Sequence, residues 1–231
     1  MTAKTPRKKV DGTRPSFVEV AYDEIKRMIL SNEMPPGFRS LEADLAKRFD
    51  MSRTPLREAL LRLQSEGFVQ IEPRRGMVVL PISPDDMDEI YQVITALETA
   101  AAELAAARRL PAAALKPLEA AVRAMDGALA KNNLEGWADA DEAFHRGLLD
   151  ICGNRRLAAV ALTFRDQIRR TRNLTLRLRP LPRRSNDAHR KLLDAIRSGD
   201  PARAFDVHRG QRLRASGELT DILRRFNLSA L

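Results

Sequence analysis

The sequence predicts a mainly α-helical chain in two parts, an N-terminal winged helix-turn-helix with a small two-stranded wing and a C-terminal all-α antiparallel bundle. Three observations predict it. Two short helical periods meet around Asp50-Met51-Ser52, the period switches from helical to alternating after Gly67, and no alternating stretch interrupts the chain beyond Pro84.

Residues 1–16 carry Lys4, Arg7, Lys8, Lys9 and Arg14 against Asp11 and show no apolar period. A disordered basic arm is expected, able to add sequence-independent attraction to a polyanion. From Phe17 to Leu30, the spacing of Val20, Ile25, Met28, Ile29 and Leu30 predicts an amphipathic helix, stopped by Asn32 and Pro35-Pro36-Gly37. Leu41, Leu45, Ala46 and Phe49 then share one side of a short helix, with Glu42, Asp44, Lys47 and Arg48 on the other. Ser52 is placed to cap a second helix, with Pro55 in its first turn and Ala59, Leu60 and Leu63 as the buried stripe. Two helices joined by so few residues form a helix-turn-helix. Phe68, Val69 and Ile71, then Met77 to Leu80, alternate around the turn Glu72-Pro73-Arg74-Arg75-Gly76, which predicts the wing.

Leu80-Pro81-Ile82-Ser83-Pro84 breaks both periods, so residues 17–80 are read as one domain, 81–84 as a linker and 85–231 as a second domain. Its helices are expected over 85–110, 111–130, 133–151, a long arginine-rich stretch to 178, 185–197, and from Pro201 to 225. Met87, Ile90, Val93, Ile94, Leu97 and Leu104 make the apolar face of the first. Six helices without strands imply an antiparallel bundle.

A chain of 231 residues with 44% apolar residues fills two ordinary cores. The net charge of +9 suits a polyanionic partner. One cysteine, Cys152, excludes an internal disulfide and a cysteine-rich zinc module, as in a reducing cytosol. No run of eighteen apolar residues exists and the basic start lacks an apolar core after it, so a soluble cytoplasmic protein away from membranes is expected.

Ser52, Arg53, Thr54 and Arg57 lie at the N-terminal end of the second helix of the pair, the end that a recognition helix sets against base edges. Arginine there pairs with guanine or a phosphate. These residues resemble the GntR family of bacterial winged helix-turn-helix regulators: SRTPLREAL followed by leucine, EGFV and RRG stand in that family's order and spacing over about forty residues. The resemblance implies double-stranded DNA as partner, Arg53, Thr54 and Arg57 as its contacts, and Arg74, Arg75 and Gly76 as a wing entering the minor groove. Two positions depart from the pattern. Ala43 stands where many relatives carry a DNA-touching arginine, and Asp50 replaces a helix-ending glycine. Dimerisation is expected because one recognition helix reads too few base pairs, whereas a twofold pair reads a palindrome.

All three histidines, His145, His189 and His208, fall on apolar sides of bundle helices. Each alone reads as a hydrogen-bonded core residue. Together, with Asp141 one turn before His145, they point to a shared divalent ion. DADEAFHRGLLDICGN, AHRKLLDAIRSGD and VHRGQ resemble the FCD ligand-binding domain of the FadR subfamily. That resemblance implies Asp141, His145, His189 and His208 as metal ligands, zinc foremost with nickel or manganese also suited, and a small carboxylate effector near the metal. Ile94 stands where many relatives carry an effector-binding arginine. Arg165, Arg169 and Arg172 are the candidates here, in a run of eight arginines from Arg165 to Arg184 that spacing alone also reads as a solvated face or a second nucleic-acid surface. Two other readings compete. A metal-dependent hydrolase would leave the helix-turn-helix unexplained and lacks a general base, since Glu142 points about 100° away from Asp141 on a helix. The third is a purely structural metal in a bundle that only dimerises.

Overall fold

The computed structural model describes residues 15–179 and 181–226. The expected basic arm therefore lies outside the described residues except for Pro15 and Ser16. The element order is α1 (Phe17–Leu30), β1 (Arg39–Ser40), α2 (Glu42–Arg48), α3 (Arg53–Ser65), β2 (Val69–Glu72), β3 (Gly76–Val79), α4 (Pro84–Ala107), α5 (Ala112–Ala130), α6 (Leu134–Ile151), α7 (Arg155–Thr175), a 3₁₀ turn (Leu176–Leu178), α8 (Arg183–Ser198) and α9 (Pro201–Arg225).

The chain divides into two compact units, residues up to Arg27 with Arg39–Val78, and Met28–Phe38 with Val79 onward. The division falls within α1. Backbone bonds account for it: Met34 N–H donates to the Met28 carbonyl, Gly37 N–H to Val79, and Val79 N–H to Phe38.

In the first unit Leu56, Ala59, Leu60 and Leu63 of α3 are buried, with Leu45 and Ala46 of α2 and Ala21, Tyr22 and Ile25 of α1. Glu66, at the end of α3, accepts from Tyr22 Oη at 2.8 Å and from Lys26 Nζ at 2.9 Å, which ties α1 to α3. The wing is a three-stranded sheet in the order β1-β3-β2, not the two-stranded one expected. The added strand is two residues long, paired antiparallel with Arg39 opposite Val78 and Ser40 opposite Met77. So short a strand leaves no alternation to read.

In the second unit α4 packs on α9, α5 on α6, and α8 on α9 and α5. Side-chain caps start four of its helices, α4, α6, α7 and α9. Ser83 and Asp86 form a reciprocal capping box around Pro84. Asn133 Oδ1 accepts from Gly136 N–H, Asn154 Oδ1 from Arg156 and Leu157 N–H, and Asp200 from Arg203 N–H. Gly199, at φ +67°, ends α8 in the left-handed region. One apolar cluster gathers Leu118, Met125, Phe144, Leu148, Leu192 and Ile196, and another gathers Met87, Ile94, Ile168, Leu219 and Leu223. Val93 and Leu104, expected in the apolar face of α4, are instead 39% and 38% exposed. The buried face of α4 runs through Glu98, Thr99 and four alanines. No helix among the described residues is long and apolar enough to cross a membrane.

Candidate functional site

Two sets of residues carry chemistry, one on each unit. On the first, Ser52, Arg53, Thr54 and Arg57 are exposed at the start of α3, above the buried stripe that anchors it. Ser52 occupies the N-cap position but its hydroxyl makes no capping hydrogen bond, contrary to the sequence reading. Pro55 removes one of the two usual donors, and the other, Thr54 N–H, makes no such bond either. A capping oxygen accepts from the second or third helical N–H, and the third residue here is proline, which has none. The helix start therefore keeps uncapped donors on the same face as Arg53, a geometry that favours a phosphate. Arg57 Nη1 stands 3.5 Å from Glu42 Oε1, a loose, exposed pair. Arg74 and Arg75 are exposed on the turn between β2 and β3. Gly76, at φ +81°, is required by the wing itself, since a Cβ there would lie 2.1 Å from the Ser40 carbonyl oxygen.

Inside the bundle, five helices bring together a closed polar chamber. Asp141, Glu142 and His145 come from α6, His189 from α8, His208, Gln211 and Arg212 from α9, Arg165 and Arg172 from α7, and Glu98 from α4, all buried. Helical spacing aims each set inward: four residues separate Asp141 from His145, seven separate Arg165 from Arg172, and His208, Gln211 and Arg212 follow at three and four.

The metal-ligating atoms fall into two groups that share His145: Asp141, His145 and His189, and Glu98, His145 and His208. His145 Nε2 is 3.3 Å from His189 Nε2 and 3.8 Å from Asp141 Oδ2, and His189 Nε2 is 3.4 Å from Asp141 Oδ1. Donors about 2.0–2.2 Å from an ion stand about 3.3–3.6 Å from one another at tetrahedral angles; the His145–His189 and His189–Asp141 separations fall in that range, while His145 stands farther off and faces the other carboxylate oxygen of Asp141. His208 turns its Nε2 to Glu98 Oε2 at 3.1 Å. His145 Nδ1 lies 3.2 Å from the same oxygen, although off the line of a hydrogen bond. A carboxylate hydrogen-bonded to an imidazole fixes the ring's orientation, and Glu98 does so for His208.

Guanidinium groups balance the carboxylates. Arg165 donates to Glu98 and to Glu142, each at 2.6 Å. Arg172 is paired with Asp141 and donates to the Ala138 carbonyl at 3.2 Å. Arg212 stands 3.4 Å from Glu98 and 3.0 Å from His145 Nε2, and Gln211 Nε2 is 3.0 Å from His189 Nε2. Burial works against each buried carboxylate, but the charges around it win. Glu98 is held well below the usual range by the permanently charged Arg165 and Arg212, Asp141 chiefly by Arg172, and Glu142 at about 2 by Arg165. Burial pushes His189 down to about 4 and lowers His145 and His208 as well, so all three rings are neutral and able to ligate.

The chamber thus takes in Asp141, His145, His189 and His208, as expected, though not at one point. Arg165 and Arg172 join it. Arg169 does not: it is half-buried and stands 3.6 Å from the exposed Asp139. Glu98, Gln211 and Arg212 had gone unnoticed, and Glu142, set aside in the sequence for pointing away from Asp141, meets Arg165 and Arg172 instead. The spacing of Gln211 and Arg212 from His208 was a usable signal, whereas nothing marked Glu98 within an apolar, alanine-rich helix.

Residues 17–79 match the model of the bacterial regulatory proteins of the gntR family, and residues 89–209 match the FCD domain. This chain belongs to the GntR family. It is a DNA-binding transcriptional regulator of the FadR type, with an FCD domain behind its helix-turn-helix. A transcriptional regulator from the TAR-I ttuE-ttuC′ intergenic region of Agrobacterium vitis is 44% identical over 57% of this chain and 78% of its own. A regulator from an unstable DNA locus of Streptomyces ambofaciens is 30% identical over 78% of this chain and 75% of its own. The E. coli McbR/YncC structure superposes with a TM-score of 0.77 at 20% identity, over 90% of this chain and 99% of that one, which shows a shared fold.

Proposed function

We propose that this GntR regulator is a repressor that grips a palindromic operator as a homodimer in the cytoplasm and releases it when a small carboxylate enters the chamber of its FCD domain. The observation that carries the DNA reading is the exposed set Ser52, Arg53, Thr54 and Arg57 on an otherwise buried α3, with Arg74 and Arg75 on the wing of the same unit. Arg53, Thr54 and Arg57 contact bases or phosphates, the wing arginines enter the minor groove, and Gly76 shapes the wing. A related protein of E. coli K12, 29% identical over 65% of this chain, is named the transcriptional repressor RspR, which supports repression. The test is fluorescence anisotropy on a selected operator. Arg53→Ala and Arg57→Ala each cost about 1–3 kcal/mol of specific binding with the fold intact. Unchanged affinity in both overturns the assignment.

Asp141, His145, His189 and His208 hold a divalent ion, zinc foremost, with nickel or manganese suited to the same nitrogen and oxygen donors. The His145–His189 and His189–Asp141 separations support this. Bound there, the ion supplies a Lewis-acid site for a ligand oxygen. Charge balance names the ligand class: Arg165, Arg172 and Arg212 already offset Glu98, Asp141 and Glu142, so a divalent ion leaves an excess of positive charge that an anionic effector restores. Arg165 and Arg172 line the place where it sits. His189→Ala loses the metal by elemental analysis and with it the operator's response to carboxylates. Retained metal overturns the ligand set, and a melting point that responds to chelator but to no carboxylate favours a purely structural ion.

A further inference from the structure

We propose that Arg170 anchors a second anion site, apart from the histidine chamber and independent of any metal, that takes a carboxylate with an apolar body. The Arg170 residue is 2% exposed, yet its Nε, Nη1 and Nη2 all lack a hydrogen-bond partner. The other buried arginines of the described residues, Arg165, Arg172 and Arg212, each face a carboxylate. A buried guanidinium carries five donors and a desolvation penalty that only an acceptor or a counter-charge offsets. Arg170 has neither within the chain, which points to one supplied from outside.

Its direction separates it from the chamber. Five residues along α7 from Arg165 turn it about 140° away. On that side Arg170 is among the residues that line a cavity of about 660 Å³, inside the size range of small-molecule sites, with its guanidinium nitrogens themselves covered. Leu174, Leu176 and Leu178 supply apolar wall, and Asn173 a further polar side chain. Two carboxylates share the rim, Glu135 3.6 Å from Arg177 and Asp139 3.6 Å from Arg169, both in loose, exposed pairs. A guanidinium matches a carboxylate through two parallel bonds, and the leucine wall selects for a tail behind it. Burial brings Arg170 down to about 10, which still leaves it charged at neutral pH.

Thermal shift and calorimetry on the full chain test this, with hexanoate as the probe and acetate and hexanol as partners to it. Hexanoate raises Tm saturably, acetate less, hexanol not at all, and the hexanoate shift is the same in metal-loaded and chelator-treated protein. That last equality separates this site from the metal reading: loss of the shift on chelation assigns hexanoate to the chamber and overturns the proposal. Arg170→Met weakens hexanoate binding at least about tenfold and melts no lower than the parent, because an unpaired buried charge is gone. A guanidinium that merely packs gives the opposite result, a lower Tm with hexanoate binding intact. Should Arg170→Met fail to fold, Leu174→Trp, which fills the cavity from a partly exposed position, removes the hexanoate shift instead. No shift in the parent protein at millimolar hexanoate, or an undiminished one in either variant, overturns the site.

Discussion

Glu98 shows how much one buried carboxylate organises. It accepts from Arg165, faces Arg212, and stands behind both His145 and His208. Glu98→Gln keeps the shape and removes the charge, so it strands guanidinium groups in a closed space. Removing one partner of a buried pair costs about 3–5 kcal/mol, and the urea midpoint should fall accordingly. A variant within about 0.5 kcal/mol of the parent would mean the pairs are solvated. The neighbouring histidines set a pH dependence with a definite sign. Burial holds His189 neutral down to about pH 4 against an ordinary value of 6.5, so below pH 6.5 the unfolded chain binds the proton first. Stability is full above pH 6.5 and lost as pH falls toward 4. Glu142, depressed from 4.5 to about 2, adds a loss of the same sign lower down. The midpoint of chelator-treated protein should drop between pH 7 and pH 5, and a flat profile would contradict neutral, buried rings.

At the scale of elements, α2 ends on Asp50, whose φ of +49° is a left-handed value that glycine adopts without strain. The backbone closes behind it, with Met51 N–H donating to the Ala46 carbonyl at 3.0 Å. Asp50→Gly should therefore raise stability, by up to about 1 kcal/mol, as an increase in Tm with operator affinity unchanged. A lower Tm would show that the aspartate side chain contributes more than its backbone costs. This departure from the family pattern was readable because it is local, as were the start of α3 at Pro55, the wing turn and the Ser83-Pro84 cap. Asp141 and His145, four apart on α6, were readable for the same reason. Directions set by packing were not. Val93 and Leu104 carry the right period for the core of α4 yet face outward, because the neighbouring alanines allow the helices closer on another face. Among four arginines within eight residues of α7, only contact with Glu98, Glu142 and Asp141 selects Arg165 and Arg172 over Arg169 and Arg170. A strand the length of β1 exists only because β3 lies beside it.

At the scale of the whole molecule, the chain joins a domain with exposed arginines on α3 and the wing to a bundle whose interior is charged, closed and largely paired. Such an interior stabilises less than an apolar one of the same volume. A bundle with a purely structural role has no need of it, whereas the proposed binding of an ion and an acid would call for it. In the proposed mechanism, coupling between chamber and operator is a free-energy difference that an effector supplies only if it prefers one arrangement of the proposed dimer. All of this rests on sequence-specific binding through α3 and the wing. The most direct test selects from a random pool of duplexes at physiological salt, then titrates the enriched sequence against a scrambled one. The account predicts an inverted repeat bound at least about 10³-fold more tightly than the scramble, with the preference lost in Arg53→Ala; equal affinity for every duplex would contradict it.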